Sequence, residues 1–187
     1  MLPRKIWHAT GALVVVVYDG FEVPRPLAAG LLLGITGLLL LLDLARHRSP
    51  ALESLFRRKL RLILDEKDLK GLNGSTLYFG GCALAVALFP KDPACAGILA
   101  LAFADPAAAL VGSSVRSPRR GRVSLAGSFA CLAVATLAAR WYFPWPIALL
   151  GGAAATFLEA LAGSKLDNLC IPLGTSLVLH LATSGAW

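Results

Sequence analysis

Three acidic residues in the C-terminal half of the chain, Asp105, Glu159 and Asp167, lie within or beside long apolar runs. An ionisable group at such a position is costly, so each is a functional hypothesis. Carboxylates there could bind Mg²⁺ or accept a proton during catalysis. The alternative is a structural ion pair, for example between Asp167 and Lys165 or an arginine. We predict a functional role most strongly for Asp105.

Asp105 is followed by a proline, which removes a backbone donor and disfavours helix at the residue before it. We therefore predict a broken or kinked helix here, which is tolerated at membrane depth where it lines a polar cavity. Three alanines at 107–109 and Gly112 follow, and these small residues would let another helix, or a phosphate, come close.

A basic stretch between residues 112 and 128 combines arginines with serines and glycines. Arginine forks bind phosphate bidentately, and amides at a helix start can hold further oxygens. By composition alone, a loop that only sets membrane orientation looks much the same. Because this stretch and the three acids are predicted to lie on the same membrane face, we favour phosphate binding. The predicted phosphate ligands are Arg119, Arg120, Arg122, Ser124, Gly127 and Ser128.

Two further polar groups lie at the starts of apolar runs. Asn73 and Ser75 could contact a nucleotide or a lipid head group, and helix capping is the equal alternative. Lys5 and His8 lie at helical spacing, and His8 could be a base, a phosphate donor or a structural histidine. The chain has no Walker A pattern, protein-kinase glycine loop or dinucleotide fingerprint.

The elements that must position these residues are apolar. Of the 187 residues, 57% are hydrophobic and 16% charged, and the mean hydropathy is +0.69. Soluble chains are about 45–50% apolar and about 25% charged, so the composition predicts a membrane protein. The four cysteines lie in apolar stretches without C-x-x-C spacing, which favours buried thiols over disulfides or metal ligands. We expect the first apolar run to remain in the mature protein.

The fold class predicted is all-α: a single-domain polytopic membrane helix bundle over residues 1–187. A basic amphipathic interfacial helix is predicted over 51–66, between the second and third spans. With the N-terminus in the cytoplasm, fifteen Lys and Arg lie inside and three outside, as expected for short loops. The seven predicted spans are 6–18, 27–42, 72–90, 94–115, 123–139, 141–158 and 169–187.

Together the polar motifs resemble those of the polyprenol kinase family. That family includes dolichol kinase, phytol kinase and the CTP-dependent diacylglycerol kinase of fungi, and it is distantly related to the phosphatidate cytidylyltransferases. The family usually has Lys-Ser-x-Glu-Gly-Ser where this chain has Val123 and Ala126 in place of the lysine and glutamate. The motifs that carry the resemblance are Arg4-Lys5-x-x-His8, Gly74-Ser75-x-x-Tyr78-Phe79, Ala104-Asp105-Pro106 with Gly112, Ser124-x-x-Gly127-Ser128, Glu159 and Asp167-Asn168-x-x-x-Pro172.

The resemblance implies a Mg²⁺-dependent membrane enzyme that moves the γ-phosphoryl of a nucleotide, CTP by preference, onto the hydroxyl of a lipid alcohol. The acceptor would be a polyprenol, phytol or geranylgeraniol, or diacylglycerol. Asp105 and Asp167 would bind the metal, Glu159 or Asp167 would accept the proton, and Asn168 would join the nucleotide ligands. The site would face the cytoplasm from a prokaryotic inner or plasma membrane, without nucleic acid as a partner.

Two alternatives stay open. A cytidylyltransferase that makes a CDP-lipid needs the same metal, nucleotide and membrane location. A small transporter for an anionic solute could use Asp105 and the arginines as a gated pathway.

Overall fold

The computed structural model describes residues 8–60 and 71–184, and these residues are almost entirely helical. Two of the helices contain a π-helical part, Val16–Gly20 in α1 and Ala100–Ala104 in α5. The elements in chain order are α1 (Thr10–Gly20), α2 (Arg25–Arg48), α3 (Pro50–Leu60), α4 (Gly74–Leu88), α5 (Lys91–Ser114), β1 (Arg119–Arg120), β2 (Val123–Ser124), α6 (Leu125–Arg140), α7 (Trp145–Leu161) and α8 (Gly163–Ser184).

The helices present apolar surface outward. Within the described residues, α2 and α5 are long and apolar enough to cross a membrane, and α1, α4, α6 and α7 are shorter apolar helices. Leucines along α2 remain exposed, among them Leu31 at 58% and Leu41 at 65%. An apolar face of this length suits lipid contact. The protein is thus an all-α membrane protein, while the number and orientation of its crossings remain predictions.

Helix α2 extends furthest beyond its predicted span. The predicted span 27–42 ended at the first charges, whereas the helix runs from Arg25 to Arg48. Arg25 is accommodated because its guanidinium donates to the carbonyls of Val86 at 3.0 Å and Ala87 at 2.6 Å. The charged groups at the other end of α2 are also bonded, as described below. A charge ends an apolar run in the sequence but does not end a helix whose charges find partners.

Other boundaries shift by a few residues. Pro90 and Pro144 precede helices that begin at Lys91 and Trp145, where the sequence predicted starts at 94 and 141. Helix α8 begins at Gly163, not at 169. Helix α3 occupies the first part of the predicted interfacial helix, and residues 61–66 of that prediction lie outside the described residues. So do residues 6–7 and 185–187 of the first and last predicted spans.

The basic stretch holds a small β-hairpin of two-residue strands that the sequence analysis did not predict. Strands β1 and β2 pair antiparallel, with Arg119 opposite Ser124 and Arg120 opposite Val123. Gly121, at φ +63°, begins the two-residue turn. Such turns require positive φ, which glycine adopts without steric cost. The hairpin fixes where the arginines of this stretch lie.

Helices α2 and α4 pack antiparallel, and charged groups gather at two separate ends of the bundle. Arg25, near the start of α2, contacts the end of α4, whereas Arg46, near the end of α2, donates to Gly71 before α4 begins. The core between the ends contains small residues and a few large ones such as Leu101. We call the end that contains Asp43, Asp105, Arg122, Glu159 and Asp167 the site end. The opposite end contains Asp19, Arg25, Lys91, Arg140 and Tyr142.

Candidate active site

Asp105 lies at a local change of helix type within α5. The π-helical turn Ala100–Ala104 precedes it, and regular α-helix resumes over Asp105–Ser114 with Pro106 in the first turn. The predicted break is therefore a π-helical turn in a continuous helix, a feature common at functional sites and at kinks. At 1.5 Å per residue, Asp105 lies roughly 10 Å inward from Gly112 along the axis.

His8 faces Asp105 from the start of the described chain. Its Nδ1 lies 3.6 Å from Asp105 Oδ2, so protonated His8 forms an ion pair with this carboxylate. Tyr78 holds His8 by donating its hydroxyl to the His8 carbonyl at 2.6 Å. The two rings also meet edge to face, with centroids 5.3 Å apart. The structure places His8 against a carboxylate, whereas Lys5, its predicted companion, lies outside the described residues.

Arg122 joins the other two carboxyl-bearing residues. Its Nη1 lies 3.5 Å from Asp167 Oδ2, and its Nη2 donates to the Glu159 carbonyl at 2.7 Å. The negative charge of Asp105 repels both Glu159 and Asp167, and Arg122 opposes that repulsion. The three acids that the sequence singled out therefore share one electrostatic environment at the site end.

The other two arginines of the hairpin are exposed on β1. Arg119 donates to the Gly112 carbonyl, which ties the hairpin to the end of α5. The Arg120 guanidinium makes no hydrogen bond or ion pair with any residue of the described ranges. Of the three predicted phosphate ligands, Arg120 is thus the one whose fork is not engaged by the described protein.

The serine and glycines of the next motif have structural contacts. Ser124 is buried, and its hydroxyl accepts from the Gly127 amide at 3.1 Å, capping the start of α6. A Cβ on Gly112 would lie 2.5 Å from Ser124 Oγ, and one on Gly127 would lie 2.7 Å from the Ala108 carbonyl. The small residues after Asp105 therefore let helix α6 come close, and the role of Gly127 as a phosphate ligand stays a prediction. Ser128 is half-buried one residue further along.

The polar residues before α4 are also engaged. The Asn73 side chain accepts from the Ser75 amide at 3.1 Å, so the capping alternative describes its contact. Asn168 Nδ2 donates to the Gly74 carbonyl at 3.2 Å. The Oδ1 of Asn168 is buried and has no hydrogen-bond partner among the described residues.

A buried ion pair near the site was missed by the sequence analysis. Asp43 and Arg46 are each 1% exposed, and Arg46 Nε donates to Asp43 Oδ1 at 2.9 Å. The predicted second span ends at residue 42, and Arg46 counts only among the fifteen basic residues predicted to lie inside. The available signal was an acid and an arginine three residues apart, hence on one helix face, at the end of a long apolar run.

The acids fit only part of a metal site. No group of three His, Cys, Asp or Glu side chains within the described residues is close enough to hold an ion. Mg²⁺, however, is commonly bound by one or two carboxylates together with water and substrate phosphates. Asp105 and Asp167 are two carboxylates close enough to influence each other, on two helices of the site end.

The chain is similar over most of its length to nucleotide-dependent lipid kinases. It is 28% identical to CTP-dependent diacylglycerol kinase 1 of Eremothecium gossypii over 96% of its own length, and 26% identical to the Schizosaccharomyces pombe protein of that name over 96%. The Saccharomyces cerevisiae protein of that name is 29% identical over 76% of this chain. The chain is a relative of the CTP-dependent lipid kinases. The family resemblance of the motifs is thereby confirmed for the diacylglycerol kinases.

The lengths of these kinase relatives differ. The chain spans 66% of the Eremothecium kinase and 50% of the Saccharomyces kinase, but 92% of the Schizosaccharomyces kinase. No family model matches the chain, and no solved structure matches it significantly.

Proposed function

We propose that the protein transfers the γ-phosphoryl of CTP to the hydroxyl of a membrane lipid, with diacylglycerol as the first acceptor to test. The observation that carries the proposal is the meeting of Asp105, Glu159 and Asp167 with exposed arginines at one end of an apolar bundle. Phosphoryl transfer depends mainly on positioning and charge neutralisation, which acids, arginines and a metal provide. The names of the relatives supply the nucleotide and the acceptor.

The arginines would hold the triphosphate. Arg120, whose guanidinium has no partner among the described residues, would offer a bidentate fork, and Arg119 lies beside it on β1. Arg122 would orient Asp167 as well as meet phosphate, since it already contacts that carboxylate. Arg122 also takes the place of the lysine that the family usually has one position later, while no nearby residue replaces the usual glutamate.

The acids would divide two tasks. Asp105 and Asp167 would hold Mg²⁺, which supplies positive charge to the phosphate oxygens when bound. Glu159 would accept the proton of the lipid hydroxyl, because its carboxylate has no hydrogen bond or ion pair within the described chain. The hydroxyl oxygen bonds to the γ-phosphorus, the bond from that phosphorus to the bridging oxygen breaks, and CDP leaves.

Labelled CTP tests the proposal directly. Purified protein in lipid nanodiscs is incubated with Mg²⁺ and either γ- or α-labelled CTP, with diacylglycerol, a polyprenol or phytol as the acceptor. We expect the γ-label in lipid and loss of transfer in EDTA, with recovery on added Mg²⁺. The α-label in lipid would indicate a cytidylyltransferase instead. Anion uptake by proteoliposomes without nucleotide turnover would indicate a transporter.

A further inference from the structure

Asp43 makes more contacts than a simple ion pair requires. Besides Arg46, it accepts two hydrogen bonds at Oδ2, from the Asn73 amide at 2.8 Å and from the Thr76 hydroxyl at 2.6 Å. We propose that Asp43 is a positioning residue for the candidate active site, an inference that rests on the proposed function. It would act by fixing the start of α4, through which Asn168 and Asp167 are held.

The contacts of Asp43 resemble a helix cap supplied by a different helix. In a capping box, an acidic or amide side chain three residues into the helix accepts from the amide of the N-cap residue. Asn73 is the N-cap of α4, and its amide is accepted by Asp43 of α2. A negative charge at the start of a helix is also favoured by the helix dipole. Asp43 therefore determines where α4 begins relative to α2.

Arg46 holds the residue that precedes this cap. Its Nη2 donates to the Gly71 carbonyl at 2.7 Å, and its guanidinium lies 5.5 Å from the centroid of the Phe56 ring. The pair of Asp43 and Arg46 thus fixes residues 71–76 from one side and also contacts helix α3.

The fixed segment contacts the candidate site directly. The Gly74 carbonyl accepts from Asn168 Nδ2 at 3.2 Å, and the Asn168 amide donates to Asp167 Oδ1 at 2.9 Å. Asp167 in turn lies 3.5 Å from Arg122. A shift at the start of α4 is therefore passed by hydrogen bonds to the carboxylate proposed to bind metal. Loss of residues that orient metal ligands commonly costs about 10–100-fold in metal affinity or activity.

A purely structural ion pair would behave differently. Removing one partner of a buried pair destabilises the fold without selecting one substrate. A positioning role instead predicts a weaker apparent affinity for the nucleotide, with the lipid KM unchanged, because Asp167 is the residue proposed to hold the metal beside the nucleotide phosphates.

Thr76→Val is the mild test, because it removes one donor to Asp43 and keeps the side-chain shape. Tyr142→Phe is the matched control, since it removes a hydroxyl that donates to Asp19 at the opposite end. We expect the KM for CTP to rise about tenfold in Thr76→Val, by analogy with other residues that orient ligands. Tyr142→Phe should stay within about twofold of wild type. Thr76→Ser, which retains the hydroxyl, should recover the wild-type KM.

Hydrogen exchange measured on the same proteins gives a readout without activity. We expect faster amide exchange over residues 73–77 and 166–170 in Thr76→Val, but not in Tyr142→Phe. Equal effects of the two variants on exchange, or an unchanged KM for CTP in an active Thr76→Val enzyme, would overturn the positioning role. Absence of kinase activity in the wild type would refute the proposed function, and the exchange data would still decide whether Asp43 positions Asp167.

Discussion

The two ends of the helix bundle both contain charged side chains, but the charges have different partners. At the opposite end, Asp19 accepts from the Tyr142 hydroxyl at 3.0 Å and lies 3.9 Å from Lys91 Nζ. Lys91 also lies over the Tyr18 ring, and Arg140 over the Trp145 ring. These groups tie α1, α5 and the connection between α6 and α7 to one another.

Tyr142 shows how a charged group at the opposite end is bonded within the protein. It lies in the connection between α6 and α7, where burial and the neighbouring Cys95 thiol raise its pKa above the ordinary value. The phenol therefore stays protonated at neutral pH and continues to donate to Asp19. A hydrogen bond to a charged group of this kind stabilises the fold and leaves little charge for a ligand.

At the site end, two of the charged groups lack a partner within the described ranges. Arg120 and the Glu159 carboxylate have no hydrogen bond or ion pair among the residues that the structure describes. Asp105, Glu159 and Asp167 bring several negative charges together, with Arg122 as their nearby arginine. Charged side chains that are bonded within the protein join helices to one another. Charged side chains that lack such bonds are available to bind a substrate.

The prediction with the largest consequence concerns the side of the membrane on which each terminus lies. With an odd number of crossings, reporters fused to the N-terminus and after Trp187 should lie on opposite sides of the membrane, the N-terminal one in the cytoplasm. The physical reason is the concentration of Lys and Arg on the predicted inner side. Protease protection or reporter activity measures this. A cytoplasmic reporter after Trp187 would place both termini on one side and refute the seven-span topology.

Neutralising Asp105 should have the largest effect on catalysis. Asp105→Asn keeps the shape but removes the charge proposed for Mg²⁺, so kcat should fall on the order of 10²-fold or more. Folding should survive, because a buried neutral amide is less costly than a buried charge. The control is Asp19→Asn at the opposite end, for which γ-phosphoryl transfer should remain within about twofold of wild type.

Two results would change this interpretation of Asp105. Wild-type turnover of Asp105→Asn at limiting Mg²⁺ would exclude the metal-ligand role. Failure of the variant to fold would instead make Asp105 the structural partner of His8, which lies 3.6 Å away.

The hairpin arginines should have a smaller and more selective effect. Arg120→Lys retains the charge and the orientation signal but loses the bidentate fork, so the KM for CTP should rise roughly fivefold. Arg119→Lys and Arg122→Lys test the two neighbouring guanidinium groups, which already donate hydrogen bonds within the protein. Arg140→Lys is the control, since Arg140 lies at the opposite end. If all three hairpin variants retain wild-type kinetics, the basic stretch only sets topology.

Tyr142→Phe should have the smallest effect, and on stability alone. Loss of its hydrogen bond to Asp19 should lower the free energy of unfolding by about 1 kcal/mol, while phosphoryl transfer stays unchanged. Denaturant unfolding in detergent, run beside the transfer assay, measures both quantities. A large loss of activity at unchanged stability would show that the opposite end also takes part in function.

The sequence by itself determined the helices and singled out most residues of the candidate site. Helix α4, Gly74–Leu88, lies within the predicted span 72–90, because apolar runs and capping residues are local properties of the chain. The sequence singles out Asp105, Glu159 and Asp167 because an acid in an apolar run is unusual whatever its partners.

Only the tertiary structure decided which groups meet. The contact of His8 with Asp105 and the bridge from Arg122 to Asp167 join residues far apart in the chain, so no local pattern contains them. The close approach of α5 and α6 at Gly112 and Gly127 also depends on packing, and the motif alone does not contain it. Asp43 was missed for the same reason, because its significance depends on the start of another helix. Such contacts depend on how the helices pack, and composition and spacing do not specify that packing.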